Sequence, residues 1–177
     1  PTRVHLTNLN PKDTIGASAW LIETGGHNIL LDAGTSPGTD GREGLPLYGQ
    51  IRDVDVEAIA ITHCHQDHCR SLPVALRHFP RARVLMTEPR YLLIDRVLHN
   101  SVNVMKRQRA EKGIQDYPLY NHGEIDELSY LFQGFKYGKP EPWGVVSPKN
   151  MGAVSPTVSF HHAGHVSHHP DISSSST

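Results

Sequence analysis

Residues 62–68 have the sequence THCHQDH, which is the most informative motif of the chain for its fold. Four of its side chains are potential metal ligands: His63, His65, Asp67 and His68. They offer imidazole nitrogen and carboxylate oxygen, which are ligands that zinc prefers. Residues 56–61 precede them as a nearly continuous apolar run, which predicts a strand buried on both faces. The pattern therefore predicts a metal site on a loop that leaves a buried strand.

The spacing of these ligands favours two ions over one. On a turn that leaves a strand, His63 and His65 can hold one ion, and the other two candidates can hold a second. Two zinc ions roughly 3.5–4 Å apart can share a hydroxide, lower its pKa towards neutrality and bind the group that it attacks. A purely structural zinc site fits less well, because such sites favour cysteine ligands. The cluster thus predicts a metal-dependent hydrolase.

The strand and helix patterns on either side predict an α/β (α+β) fold with a mixed sheet. Strands are predicted at residues 4–9, 18–23, 27–32, 56–61, 83–86 and 157–160, and helices after Ser71, at 88–112 and at 124–132. Ser71 is predicted to cap the first helix and Gly113 to end the second. The predicted apolar stripe of the long helix contains Leu92, Leu93, Val97, Leu98, Val102 and Met105. We expect the helices to cover one face of the sheet.

Length and composition favour one soluble domain. The chain has 177 residues, a net charge of −1 and an apolar fraction of 37%. We assign residues 1–170 to the domain and 171–177, which are mostly serine, to a flexible tail. No apolar stretch is long enough to cross a membrane, and no secretory signal begins the sequence. Together with Cys64 and Cys69, interpreted as reduced thiols, these features predict a cytoplasmic protein.

Positive charge is concentrated in the middle of the chain. Residues 70–112 contain ten Lys and Arg residues against three acidic residues. This basic segment, beside the predicted metal site, could bind a polyanion. A solvated helix face explains the same charges, because Lys and Arg commonly occupy exposed helix positions.

Two groups of motifs carry a family resemblance. The pattern in residues 62–68 and the sequence LLDAG at residues 30–34 resemble the metallo-β-lactamase fold superfamily. Residues 16–22, 61–63, 71–73, 86–89 and 163–165 resemble its β-CASP branch, the RNA-processing nucleases that include ribonuclease J. The resemblance spans about residues 4–166 and implies the N-terminal part of an αββα sandwich.

The resemblance also implies a role for each site residue. His63, His65 and His165 would bind the first zinc ion, and Asp67 and His68 the second. Asp67 would also act in catalysis by positioning or deprotonating the attacking water. Asp32 would lie behind the ligands and orient the metal-binding loop. The implied reaction is hydrolysis of RNA phosphodiester bonds by a metal-activated hydroxide.

The sequence departs from this family after His165. A complete enzyme continues with an aspartate that bridges both metals, the β-CASP insert and a last histidine ligand, and none of these is recognisable. The chain therefore looks like an N-terminal part, with a second zinc site that is potentially incomplete. Asp171, His168 or His169 could fold back to compensate. A half-sandwich would also leave an apolar sheet face that favours a homo-oligomer.

Two other functions remain open. The same hydroxide could attack a carbonyl carbon, as in β-lactam or ester hydrolysis. Alternatively, the chain could be a weakly active metal-binding fragment that needs a partner chain to complete its sandwich.

Overall fold

A computed structural model describes residues 3–11, 18–135, 141–142, 157–159 and 161 of the chain. In chain order its strands are β1 (Val4–Asn8), β2 (Trp20–Thr24), β3 (His27–Leu31), β4 (Ala58–Ala60), β5 (Arg83–Thr87), β6 (Phe132–Phe135), β7 (Glu141–Pro142) and β8 (Thr157–Val158). Its α-helices are α1 (Gln66–Cys69), α2 (Leu72–His78), α3 (Glu88–Lys112) and α4 (His122–Leu128). Short 3-10 turns lie at Gly41–Gly44, Tyr48–Ile51 and Ser129–Leu131. None of the helices in these ranges has the length and apolarity to span a bilayer.

Six strands form one mixed sheet in the order β1-β2-β3-β4-β5-β6. The first three are antiparallel, and β2 and β3 form a hairpin through Gly25 and Gly26, whose φ angles are 57° and 79°. These positive angles need a turn residue without a Cβ atom. From β3 to β6 all neighbours are parallel. The predicted mixed α/β fold is therefore confirmed.

The main core covers one face of this sheet. Leu30, Ile59, Val84 and Met86 point into it from neighbouring strands and are fully buried. Side chains that alternate with them along the strands form a smaller apolar cluster, which contains Ala58, Ala60 and Leu85. Because successive strand residues point to opposite faces, the central strands are buried on both sides, as the continuous apolar run at residues 56–61 predicts.

The long helix α3 runs 25 residues and ends at Gly113, which adopts a left-handed conformation and donates its backbone N–H to Arg109 O. This C-cap agrees with the prediction. Four residues on one side of the helix are fully buried: Ile94, Leu98, Val102 and Met105. The inclusion of Leu92 and Leu93 in the buried stripe is wrong, because they are 64% and 50% exposed. The buried residues recur every three or four positions and therefore share one side of the helix, whereas residues 92 and 93 point to other sides.

Three other predictions need correction. Ser71 precedes α2, but its side chain makes no capping hydrogen bond because it bonds to Gly34 and Tyr48 instead.

The helix predicted at residues 124–132 begins earlier, at His122, and its end is replaced by a 3-10 turn and by β6. Pairing with β5 makes Phe132–Phe135 a strand, and this tertiary interaction outweighs the local helical pattern. The last predicted strand is observed at Thr157–Val158, paired with β7, and Phe160 lies outside the described residues.

Candidate metal centre

The histidine loop, residues 62–71, begins at the C-terminal edge of the parallel strands. Asp32 directly follows β3, Thr62 lies two residues after β4, and Arg90 lies in the first turn of α3 after β5. Parallel strands bring their C-terminal ends to one edge of a sheet. Three loops that are distant in sequence therefore meet at this edge.

Asp32 is the buried centre of the arrangement. It is 3% exposed, and its carboxylate accepts hydrogen bonds from Thr62 N at 2.7 Å and from the Thr62 hydroxyl at 2.8 and 3.0 Å. His68 Nδ1 lies 2.9 Å from its Oδ2 atom. Asp32 also has a φ angle of 61°, in the left-handed region that few residues other than glycine adopt. This strained backbone turns the carboxylate towards the histidine loop.

These bonds define which ring nitrogen of each histidine carries the proton. The Asp32 carboxylate can only accept, so His68 donates from Nδ1 and carries its lone pair on Nε2. His63 Nδ1 lies 3.0 Å from Thr62 Oγ1, whose own proton goes to Asp32. His63 therefore also donates from Nδ1. Both imidazoles thus have the tautomer in which Nε2 can bind a metal, with a carboxylate behind them.

Three of the predicted ligands lie together. The ring centroid of His63 is 5.0 Å from that of His68 and 6.1 Å from that of His65. His65 is exposed, while His63 and His68 are half-buried. Three imidazoles at these spacings, two with defined tautomers, are a donor set that fits zinc.

The charge environment of His63 also favours metal binding. Burial lowers the pKa of this imidazole, and the neighbouring His68 and the charge of Arg90 lower it further. A lowered pKa means that the ring is neutral at physiological pH, and neutral imidazole is the form that binds metals. Protons therefore compete less with a metal at His63 than at an ordinary histidine.

Backbone hydrogen bonds hold the histidine loop against the segment that follows β3. Ala33 N donates to His68 O, and Ser71 N donates to Ala33 O. His65 O accepts from the N–H groups of His68 and Cys69, which starts α1. The second half of the loop is thus held by backbone hydrogen bonds.

A buried hydroxyl chain lies beneath the same segment. Tyr48 Oη is 2.7 Å from Ser71 Oγ, and Ser71 Oγ donates to Gly34 O at 2.6 Å. Since the Ser71 proton goes to this carbonyl, Tyr48 is the donor to Ser71. Burial raises the pKa of Tyr48, which therefore keeps its proton. The chain links the histidine loop to the Tyr48–Ile51 turn.

Arg70 and Tyr120 tie the end of the loop to the helical side of the molecule. Tyr120 Oη donates to Arg70 O at 2.7 Å, and Arg70 Nε donates to Ser101 Oγ on α3 at 3.0 Å. The Arg70 guanidinium also lies over the ring of Tyr117, 5.7 Å from its centroid. Arg70 therefore has a packing role in addition to its charge.

Three groups of side chains can be distinguished within the basic segment. Three of its members bond within the protein: Arg70 to Ser101, Arg77 to Glu124, and Arg109 to the carbonyl of Tyr117. Five other basic side chains are exposed: Arg81, Arg96, Lys106, Arg107 and Lys112. Arg90 is half-buried and close enough to His63 to lower its pKa. Only part of the segment is therefore available to a polyanion.

The remaining predicted site residues are described incompletely. The backbone of Asp67 lies in α1, but its side chain is outside the described part of the structure. His165 and the compensating candidates Asp171, His168 and His169 also lie outside the described residues. The ligand assignments of the sequence therefore stay predictions.

Sequence reasoning missed the groups that support the loop. The bond of Thr62 to Asp32, the hydroxyl chain from Tyr48 and the contact of Tyr120 with Arg70 each join residues that are distant in sequence. The left-handed conformation of Asp32 could have been suggested by the sequence, because aspartate tolerates this conformation and Gly34 indicates a turn.

Comparison with known proteins gives a family match over most of the chain. Residues 13–175 match the family model described as the metallo-beta-lactamase superfamily. The endoribonuclease YSH1 of Candida glabrata is 30% identical over 121 residues, which cover 68% of this chain and 16% of that protein. The ribonuclease TTHA0252 of Thermus thermophilus is 28% identical over 152 residues, which cover 86% of this chain and 30% of that protein.

Among solved structures, the dizinc quorum-quenching lactonase AidC is similar over 68% of this chain and 43% of its own, with 19% identity and a TM-score of 0.41. The chain spans less than a third of the length of the two ribonucleases. The resemblance of the sequence to β-CASP ribonucleases is confirmed at the level of these relatives.

Proposed function

The chain belongs to the metallo-beta-lactamase superfamily, and on that premise we propose that it is a zinc-dependent hydrolase that acts on phosphodiester bonds of RNA. The observation that carries the proposal is the set of three clustered imidazoles, His63, His65 and His68, with the Asp32 carboxylate behind two of them. Two relatives that carry ribonuclease names support the choice of substrate.

Zinc is the proposed cofactor, in two sites as the sequence motif suggests. His63, His65 and His165 would hold one ion, and Asp67 and His68 the other, with Asp32 fixing the tautomer of His68. When bound, zinc supplies a Lewis acid that activates water and neutralises charge on the scissile group. The second site would be weaker if no further carboxylate completes it.

The residues of the chain have separate tasks in this proposal. Asp67 would orient the attacking water and accept its proton. Arg90 would face the phosphate of the substrate, because its positive charge already acts on His63 from the first turn of α3. The exposed basic residues of α3 would extend this attraction along an RNA strand.

The charge near the site favours phosphorus over carbonyl chemistry. A guanidinium suits a phosphodiester, which carries a negative charge throughout the reaction, whereas a β-lactam or ester gains charge only in the transition state. Carbonyl hydrolysis at the same metal site is the alternative, and a comparison of RNA with a cephalosporin as substrates distinguishes the two reactions.

The decisive experiment combines metal analysis with cleavage. Protein loaded with zinc is incubated with end-labelled single-stranded RNA, with a chromogenic phosphodiester and with a chromogenic cephalosporin, each with and without a chelator. The variants are His63→Ala, His65→Ala and Asp67→Asn, and the matched control is His5→Ala, whose histidine is exposed on β1 far from the loop in sequence.

We expect chelator-sensitive cleavage of RNA that falls at least ~100-fold in the three site variants and is unchanged in the control. Turnover of the cephalosporin without cleavage of RNA would replace the proposal by carbonyl hydrolysis. Zinc-replete protein that cleaves none of the three substrates would instead favour a fragment that needs a partner chain.

Self-association and cytoplasmic location are further hypotheses. The outer strand β1 exposes Val4 and Leu6, apolar residues of the kind that a second copy could cover. Light scattering across a concentration series tests the oligomer, and a constant monomer mass would contradict it.

A further inference from the structure

Away from the histidine loop, α3 and α4 face each other through two pairs of histidine and aspartate. Asp95 and His99 lie one turn apart on α3, and His122 and Asp126 lie one turn apart on α4. His99 Nε2 is 3.1 Å from Asp126 Oδ1 and 3.5 Å from Asp95 Oδ1. One ligand atom from each of these three residues lies within 4.8 Å of the others. Three metal-binding groups from two helices therefore converge.

The hydrogen bonds behind His99 define its protons. His122 Nε2 lies 3.1 Å from Asn103 Oδ1, which can only accept, so the His122 proton is on Nε2. His122 Nδ1 then carries a lone pair, and it lies 2.6 Å from His99 Nδ1. His99 must donate in this contact. In its neutral form it therefore carries its other lone pair on Nε2, which faces two carboxylates.

A lone pair that faces two negative oxygens is repelled unless a positive charge lies between them. An added proton on Nε2 would supply one charge, and a divalent metal would supply two and bind all three donors at once. The chain from His99 through His122 to Asn103 matches the pattern in which a ligating histidine donates its second N–H to a fixed partner. The arrangement thus has both the ligands and the groups that orient them.

We propose that Asp95, His99 and Asp126 form an additional metal site, apart from the histidine loop, for a zinc-class divalent cation, with His122 and Asn103 orienting His99. The site has three protein ligands and leaves positions for water. Asp126 has a 72% exposed side chain, so ions can enter from solvent. Because the ligands come from two helices, a bound ion would join α4 to α3. This function is independent of the chemistry at the histidine loop.

Metal titration of the whole chain tests the proposal. Protein stripped with a chelating resin is titrated with Zn²⁺ and, separately, with Co²⁺ at pH 7.5, and the bound equivalents are counted by equilibrium dialysis. The variants are Asp126→Asn and His99→Gln, and the matched control is Glu127→Gln, an exposed neighbour on α4. The same variants are repeated in a His63→Ala, His65→Ala background to separate the two sites.

We expect both variants to lose one equivalent of metal in either background, while the control loses none. Circular dichroism of each variant checks that it is folded. If Asp126→Asn and His99→Gln bind the same number of metal equivalents as the unchanged protein, the proposal is wrong. The contacts of His99 with the two aspartates would then be ion pairs of a protonated histidine.

A second variant tests the orienting chain. His122→Phe keeps all three ligands but removes the acceptor of the His99 Nδ1 proton. We expect the metal affinity of this site to fall by roughly 10- to 100-fold, as for other partners of ligating histidines. Undiminished affinity would show that His122 and Asn103 do not orient the site.

Discussion

The edge of the sheet and the surface between α3 and α4 both pair histidines with aspartates, yet they are built differently. At the sheet edge, Asp32 is buried, strained and bonded to two backbone-anchored partners. Between the helices, Asp126 is largely exposed and meets His99 across a solvent-facing contact. The first arrangement is preformed by the fold, whereas the second is an exposed contact at which a bound cation would join the two helices. Burial therefore decides whether a histidine and carboxylate pair is part of the core or depends on a ligand.

The largest expected effect on stability is the loss caused by replacing Asp32, which is compared with the replacement of Asp126. Without metal, Asp32→Ala should lower the free energy of unfolding by about 3 kcal/mol, because it leaves buried donors on Thr62 and His68 without an acceptor. Asp126→Ala should change it by less than ~0.5 kcal/mol. Urea denaturation in the presence of chelator measures both.

A third substitution separates the carboxylate from the strained backbone. Asp32→Gly also removes the carboxylate but tolerates the φ angle of 61°. It should be more stable than Asp32→Ala by about 1 kcal/mol. Equal losses at Asp32 and Asp126 would break the comparison between the two regions.

The next effect concerns the hydroxyl chain beneath the histidine loop. Ser71→Ala should cost about 2 kcal/mol, because both the Tyr48 hydroxyl and the Gly34 carbonyl lose a buried partner. Tyr48→Phe should cost about 1 kcal/mol, since Ser71 still bonds to Gly34. Thermal unfolding measures both, and Tyr130→Phe, at an exposed tyrosine, serves as the control. A cost for Ser71→Ala no larger than the control would mean that this support is not needed.

A smaller effect is expected from the ion pair on the helical side. Arg77 on α2 makes two hydrogen bonds to Glu124 on α4, at 2.7 and 2.6 Å. Because the Arg77 side chain is about half exposed, a double-mutant cycle of Arg77→Ala and Glu124→Gln should give a coupling energy below ~1 kcal/mol. Arg81→Ala is the control for loss of an exposed arginine. A coupling energy as large as the loss of about 3 kcal/mol predicted for Asp32→Ala would remove the contrast between buried and exposed regions.

The smallest effect is chemical and involves no loss of stability. Burial raises the pKa of Cys64, whose Sγ atom lies 3.7 Å from Arg90 O, although the charge of Arg90 opposes the shift. A raised pKa leaves less thiolate at pH 8, so iodoacetamide should label Cys64 several-fold more slowly than it labels the urea-unfolded chain. Cys69 is fully buried and should react only on unfolding. Peptide mass spectrometry follows each site, and labelling of both as fast as in urea would contradict this picture.

The two regions also differ in how far the sequence predicts them. The histidine loop follows a recognisable apolar strand, and its four candidate ligands lie within six positions, so their proximity can be inferred locally. The hairpin at Gly25 and Gly26 and the helix end at Gly113 are likewise local signals with one physical cause each. These elements agree with the structure because no tertiary contact competes with them.

The cluster between α3 and α4 could not be inferred in this way. His99 and His122 are 23 positions apart, and their contact depends on how two helices pack. The strand at Phe132–Phe135 has the same origin, since pairing with β5 outweighs the local helical pattern. Ser71 shows the limit most clearly: a residue suited to cap a helix instead bonds to two partners that the local sequence does not indicate.

The parallel arrangement of β3, β4 and β5 has a consequence for how this chemistry can be altered. A loop follows β3 and β4 at one edge, whereas β5 leads directly into α3, and the strands are held by core residues on both faces. Because Ala33 bonds to both His68 and Ser71, the two loops form one unit, and the start of α3 is the element that can be changed separately. Replacing the first turn of α3 would remove Arg90, whose charge acts on His63, and would leave the hydrogen bonds of Asp32 to Thr62 and His68 in place. The sheet is therefore a constant scaffold, and the segments that follow its strands can be varied without rebuilding it.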